Sequence, residues 1–373
     1  MIRPVFATLE NDLDFVLRRS RLFADRHLSV DVIINVQAGA ISSDKRAIAT
    51  VDALDRLTKG IVGPVRGADS IAIRFHYTHY VGHAGEITHE LLGVTQPDVH
   101  LIVSAGGDGT HAEVLSAFEA AESSSAAPRG ERYFIRLPLG TGNDGADAPD
   151  LPRAVRLLLG CAEQRRAGQI DVMPAGMPVF RGYNIASIGL DAYVAYLTNR
   201  LKRRFGGDLY RLIADVMTLL YERVVGAGRM VVDLVDERGT AERLEGTFLL
   251  LAMGVSGYRR YGGGKQVLPG YENLCAVERL GVIGKIRLKP LFYRGEHVHE
   301  PNVVMRSARR ITVSYDRPVP LQIDGETVWL TAESFPLEMQ VQAPRVPVLS
   351  FPLGAGGAAS IPAGELDPPQ SKV

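Results

Sequence analysis

Cysteine is scarce in this 373-residue chain: only Cys161 and Cys275 occur, far apart and outside any metal-ligand spacing. That excludes a disulfide framework and fits a reducing compartment. Neither sign of charge is in excess, with 42 Lys and Arg against 42 Asp and Glu. Bulk charge therefore gives no drive toward nucleic acid, and no such partner is expected. Long apolar runs are missing too. The longest, Phe248 to Val255, is far short of the roughly 20 residues that cross a bilayer. Arg3, Glu10, Asp12 and Asp14 interrupt the N-terminus, so no export signal is read. The expectation is a cytoplasmic protein, soluble or peripheral to the membrane. His76, His79, His83 and His89 cluster without a cysteine and fit no zinc spacing. His297 and His299 alternate on an expected strand, and no metal is assigned to them.

What is present is alternation. Residues 1–30 are expected to form a helical extension, with Leu9, Leu13, Val16 and Leu17 on one face. From residue 31 to 168, strand-like runs (Val32 to Val36, Ser70 to Tyr77, Val99 to Val103, Tyr133 to Leu137) alternate with helix-like ones (Lys45 to Leu57, His83 to Leu92, and a helix through Ala112). This pattern predicts βαβ units and a parallel sheet. From 169 to 343 short strands dominate, broken by one helical block from Asp191 to Arg223. That predicts an antiparallel sheet or sandwich. Residues 344–373, rich in Pro, Ala and Gly, are expected to be a mostly disordered tail.

The most informative stretch is Leu101-Ile-Val-Ser-Ala-Gly-Gly-Asp-Gly-Thr110. An apolar strand breaks on Gly106, Gly107 and Gly109, and helical spacing then resumes at Ala112, Leu115 and Phe118. A glycine turn into a helix N-terminus aims backbone N–H groups and a positive partial charge at one point, which suits phosphate. Asp108 and Thr110 add a carboxylate and a hydroxyl. A second loop, Pro138-Leu-Gly-Thr-Gly-Asn-Asp144, follows the next strand. In a parallel sheet both loops fall on one edge, where ligands of α/β folds bind. Asp324-Gly325, between two alternating apolar runs, reads equally as a hairpin turn and as site chemistry.

These motifs resemble the diacylglycerol kinase catalytic-domain family, which includes bacterial lipid kinases and sphingosine kinases. Gly106-Gly-Asp-Gly-Thr110 with Glu113, and Pro138 to Asp144, carry the likeness. Thr78 with Gly82-His-Ala84, Asn184 to Asp191, Tyr261-Gly-Gly-Gly264 and Asp324-Gly-Glu326 extend it in order along the chain. The resemblance implies an α/β nucleotide-binding domain plus a β-sandwich domain that takes the lipid, with the active site in the cleft between them. It implies ATP and Mg²⁺ as cofactors and a lipid alcohol as acceptor. A nucleotide site is implied at Asn35, Thr78, Gly106, Gly107, Asp108, Gly109, Thr110, Glu113, Gly140, Thr141, Asn143 and Asp144. Asp108 is expected to orient metal or phosphates. Glu326 is implied as the base, with Asp324 nearby.

Two departures stand out. Asn35-Val-Gln replaces the usual Asn-Pro, and Glu272-Asn273 stands where bacterial members usually carry a metal-binding Asp-Asp-Gly. Glu272 is the substitute ligand to consider. Lys202, Arg203, Arg204 and Arg211, or Tyr258-Arg-Arg-Tyr261, would offer transient contact with a membrane surface. The resemblance makes a homodimer plausible. The alternatives are an NAD kinase-like enzyme, which shares the Gly-Gly-Asp-Gly-Thr loop, and an inactive nucleotide-binding regulator.

Overall fold

The computed structural model describes residues 4–94, 98–123, 130–140, 143–202, 219–226 and 228–352. The N-terminal part alternates as its periodicities predict: β1 (Leu28–Asn35), α2 (Asp44–Thr58), β2 (Ile71–Thr78), α3 (His83–Leu92), β3 (Val99–Gly106), α4 (Asp108–Ser123) and β4 (Glu131–Pro138). These strands lie parallel in the order β2-β1-β3-β4. Nearly every residue of β1 and β3 is buried, as expected for parallel strands covered by helices on both faces. Val30, Val32 and Ile34 face α1 (Pro4–Leu17), α2 and α5 (Leu151–Leu159). Ile33 and Ile102 face α3 and α4 with Phe118. Each such side chain contributes about 1.5–3 kcal/mol by leaving water.

The first helix is an integral part of this core. Phe6, Leu9, Leu13, Val16 and Leu17 of α1 are buried in it, and Tyr77 donates to Glu10 at 2.7 Å.

The second part is antiparallel. A six-stranded sheet runs β14-β13-β10-β7-β16-β17, comprising β7 (Ile185–Gly189), β10 (Phe248–Gly254), β13 (Leu274–Glu278), β14 (Val303–Arg306), β16 (Val319–Ile323) and β17 (Glu326–Leu330). It packs through Ile188, Leu251, Met253 and Leu321 against Ile170, Val232, Ile311 and Met339 of a second layer. That layer continues the first sheet. β18 (Leu337–Ser350) pairs in parallel with β4 and antiparallel with β5 (Glu163–Pro174) and β15 (Arg310–Ser314), β6 (Phe180–Gly182) pairs with β5, and β8 (Met230–Val235) and β9 (Ala241–Gly246) complete the row. One ten-stranded sheet thus spans both parts.

Here the expected tail needs correction. Residues up to Ser350 are strand, with Val346, Val348, Leu349 and Phe351 buried. The prolines that suggested disorder are absorbed locally, since the ladder shifts register between Gln342 and Val346, around Pro344, where a missing N–H costs little. Two more elements differ from expectation. Val282–Arg294 is a helix, α8, despite Gly284 and Pro290. Glu296–His299 is a 3₁₀ turn, with His297 buried and stacked on Phe292, where a strand was expected. Two further helices are α6 (Leu190–Lys202) and α7 (Tyr221–Val224). The rest of the basic segment, through Arg211, lies outside the described residues.

Candidate active site

Asn35, Thr78, Gly106 and Pro138 end β1 to β4 in matched register, so every loop that follows opens on one sheet edge. Gly107 is the only residue between β3 and α4. The Gly-Asp-Gly-Thr segment is therefore the first turn of a helix, whose free N–H groups and positive dipole end point at that edge. Thr110 Oγ1 accepts from Asn35 Nδ2 at 2.7 Å, and Asn35 Oδ1 accepts from Gln37 N at 2.9 Å. Asn35 and Thr110 thus lock the first two loops together. Glu113 ties the next loop to this helix. Its carboxylate accepts from Gly82 N (2.8 Å) and Ala84 N (3.1 Å), capping α3. Thr78 is buried at the end of β2.

The two glycine loops touch. A Cβ on Gly140 would lie 2.5 Å from the Cα of Gly107 and 2.9 Å from Asn143 Oδ1. Asn143, at positive φ, accepts from Gly140 N at 2.6 Å and closes the second loop. Thr141 lies outside the described residues. A Gly140→Ala variant should therefore force the loops apart. The expected cost is about 1–3 kcal/mol, read as a lower Tm, together with weaker ATP binding. Gly109→Ala, whose methyl meets nothing within 4 Å, should leave Tm unchanged. Equal Tm for both variants would refute loop contact as the reason for glycine.

Asp108 turns toward the second loop and accepts from Gly145 N at 2.9 Å. It lines a cleft together with Asp144, Asp324, Arg136, His111, Tyr183, Asn184 and Tyr261. Three carboxylates thus converge from two loops and from the antiparallel sheet. All three are harder to ionise than usual. Burial raises Asp108 despite bonds from Gly145 and Asp144. Burial, then the charge of Asp108, pushes Asp144 up to about 6. Burial also raises Asp324, with Asp108 adding to it. Such mutual repulsion in a desolvated site is relieved by a cation.

Asp324 forms a hairpin turn and also lines the cleft. Ile323 pairs with Glu326, and Asp324 and Gly325 take φ of 49° and 98°, which makes a two-residue hairpin turn. Gln322 accepts from Gly325 N, and Asn199 donates to Gly325 O at 2.9 Å. The pinned turn holds the Asp324 carboxylate where it accepts from the backbone N–H groups of Tyr183, Asn184 and Ile185. Glu326 begins β17 with an exposed side chain, outside the lining of the cleft.

The far wall is the hairpin of β11 (Arg259–Tyr261) and β12 (Lys265–Leu268). Its turn, Gly262, Gly263 and Gly264, takes three successive left-handed conformations with φ of 70°, 79° and 89°. Consecutive N–H groups in such a turn form a concave anion seat. Asp144 occupies it, accepting from Gly262 N at 3.0 Å with Gly263 and Gly264 contributing.

Among the described residues no three acidic, His or Cys side chains gather closely enough to ligate an ion by themselves. A Mg²⁺ at Asp108 would thus need phosphate oxygens and water to complete its shell, the usual arrangement for this metal. Glu272 gains no such group either. Its neighbour Asn273 donates to Ala308 O (2.8 Å) and Gly254 O (3.2 Å) and accepts from Ala308 N (2.8 Å). A neutral amide pins these strand ends by protein hydrogen bonds, and no metal role is assigned to Glu272.

Comparison with known proteins agrees with this geometry. The diacylglycerol kinase catalytic domain matches residues 30–175, and the YegS C-terminal NAD kinase beta sandwich-like domain matches 184–349. The chain is 30% identical over 240 residues to the "Probable lipid kinase YegS-like" of Xanthomonas euvesicatoria pv. vesicatoria (strain 85-10), covering 61% of this chain and 72% of that protein. It is 25% identical over 247 residues to the diacylglycerol kinase of Staphylococcus carnosus (strain TM300), covering 65% and 75%.

The chain belongs to the diacylglycerol kinase family.

A provisionally named diacylglycerol kinase crystal structure from Bacillus anthracis str. Sterne shares the fold, with a TM-score of 0.52 at 18% identity over 87% of this chain and 98% of that one. Within the family frame, three cleft residues belong to no motif read in the sequence: Arg136, His111 and Tyr183. Arg136 is buried and makes a bidentate pair with Asp147 (2.9 and 2.6 Å), a fixed cation among the carboxylates. A charge inside the apolar run Tyr133 to Leu137 was its signal. His111 bonds Ser104, and burial followed by Arg136 pushes its pKa down to about 3, so it stays neutral. Tyr183, bonded to Ser116 at 2.8 Å, had no local signal.

Proposed function

We propose that this chain is an ATP- and Mg²⁺-dependent lipid kinase that transfers the γ-phosphate of ATP to a hydroxyl of a diacylglycerol-like or sphingoid-like lipid. The observation that carries the reading is the convergence of Asp108, Asp144 and Asp324 over the N-terminus of α4. Phosphoryl transfer asks for positioning and charge neutralisation more than for covalent chemistry. The first-turn N–H groups of α4 would bind phosphate, and Asp108 would orient it together with Mg²⁺. Bound Mg²⁺ would neutralise the charge on the transferring phosphoryl group. Asp144 suits the role of base, because its pKa of about 6 lies near neutral pH and leaves it charged yet able to accept a proton. Asp324 is a positioning residue for the loop at Tyr183 to Ile185. This moves the base from Glu326, which the resemblance suggested. Glu326→Gln is accordingly expected to keep turnover within a few-fold of wild type, and a thousandfold loss would return the role to it.

The function itself is tested with labelled ATP and Mg²⁺, offering a total lipid extract and, separately, NAD. Label in the organic phase is the expected result. Labelled NADP would establish the NAD kinase alternative, and ATP binding without transfer would establish an inactive regulator.

A further inference from the structure

α8 carries apolar side chains on both its inner and its outer face. Leu288, Leu291 and Phe292 pack inward on the β11–β12 side of the molecule. Outward, Val282 (51% exposed), Ile283 (84%), Ile286 (58%) and Tyr293 (45%) remain in solvent, and Pro290 is exposed between them. Their spacing, i, i+1, i+4, i+8 and i+11, is one continuous helical stripe. A helix that is apolar on both faces is normally buried on both, so something covers the outer one. At 13 residues it is about 20 Å long, too short to cross a bilayer, but it is long enough to lie on one.

We propose that the outer face of α8 docks this protein on an anionic bilayer surface, seating the cleft where a lipid acceptor arrives. The proposal rests on the lipid-kinase reading for its purpose, although docking itself is measured independently. Charge selects the occupant. α8 carries the exposed cations Arg287, Lys289 and Arg294 and no carboxylate, while Lys285 turns inward, buried and paired with Glu222 at 3.0 Å. The pairs Arg287–Glu300 (3.0 Å) and Arg294–Glu296 (2.7 Å) are exposed, and such pairs are weak enough to yield to lipid phosphate. Apolar side chains flanked by cations are the pattern of an interfacial helix, and Tyr293 suits the headgroup level. Position supports the same occupant. The Tyr293 carbonyl accepts from Gln266 of β12 at 3.2 Å, and the same hairpin carries Tyr261 into the cleft and Gly262 onto Asp144. It also displays the edge-to-face pair Tyr258–Tyr271 next to it, 62% and 84% exposed.

The test uses the full chain without nucleotide, co-sedimented with vesicles of phosphatidylcholine and phosphatidylglycerol in equal parts, and with vesicles of phosphatidylcholine alone. Wild type should bind the anionic vesicles more strongly. The double variant Ile283→Asp/Ile286→Asp should bind at least about tenfold more weakly, with unchanged circular dichroism and unchanged turnover on acceptor dispersed in detergent micelles. Equal vesicle binding by variant and wild type would overturn the proposal. So would failure of wild type to bind either vesicle, or a wild-type dimer that the variant dissolves without any vesicle effect. Vesicle binding lost in the variant while neither protein turns over micellar acceptor would uphold docking and sink the kinase reading instead.

Discussion

Asp108→Ala is expected to lower phosphoryl transfer by about a thousandfold or more, the scale of removing a charge-positioning group from a closed site, while the protein stays folded. The side chain joins what the reaction needs to keep together. It starts α4, whose N-terminus faces the phosphates, and it accepts from Gly145 of the opposite loop. Burial raises Asp144 and Asp324 most, and the charge of Asp108 adds to both. Stability should change little, because losing the Gly145 bond is offset by relief of repulsion from a carboxylate that burial already disfavours. Turnover in the lipid extract assay and Tm by thermal scanning read the two effects separately. Turnover within tenfold of wild type would remove Asp108 from the chemistry, whereas a collapsed Tm would mean its role is architectural.

The parallel half was legible because its signals are local. A run such as Leu101 to Val103 between turn residues can only be a strand covered on both faces, and Gly107 with Asp108 marks the helix start within a few residues. The elements that were not legible depend on distant partners. β18 reads as a Pro-rich tail until β5 supplies the ladder that accommodates its break at Pro344. α8 lies in the part where only one helical block, Asp191 to Arg223, was expected, because Gly284 and Pro290 lower its propensity and the packing of Leu288, Leu291 and Phe292 that favours it is set by the fold.

The site divides in the same way. Asp108, Asn35 and Thr110 stood out as motif members, and the structure gathers them. Glu113 sits in the same motif, and its carboxylate caps α3, a contact that spacing alone does not reveal. Arg136 and the contact from Gly262 to Asp144, 118 residues away in sequence, require the fold. The Gly262 to Gly264 run was noticed as a family element, but the anion seat it forms, and the carboxylate that fills it, exist only once β11 and β12 meet the second loop.

That seat leads to the most discriminating expectation, Asp144→Asn: loss of turnover together with a gain in stability. Burial and the charge of Asp108 hold the Asp144 pKa at about 6, up from 3.8. The folded protein therefore binds this proton more tightly than the unfolded chain does. Its contribution to stability is fully present below about 3.8 and is lost as pH rises through about 6. At neutral pH the ionised side chain is a standing cost. Asparagine keeps an oxygen for Gly262 N and carries no charge, so the variant should be more stable at pH 7 by about 1–2 kcal/mol after allowance for partial exposure. At pH 4 the gain should vanish. In the wild type the same ionisation should appear as an ascending limb of kcat/KM near pH 6, since the base works only when charged. Denaturation of both proteins at pH 4 and pH 7 measures the first effect, and a pH–rate profile measures the second. A variant that is inactive but no more stable at pH 7 would mean the carboxylate is balanced by the glycine seat alone. A wild-type rate independent of pH between 5 and 7 would place the proton acceptor elsewhere in the cleft.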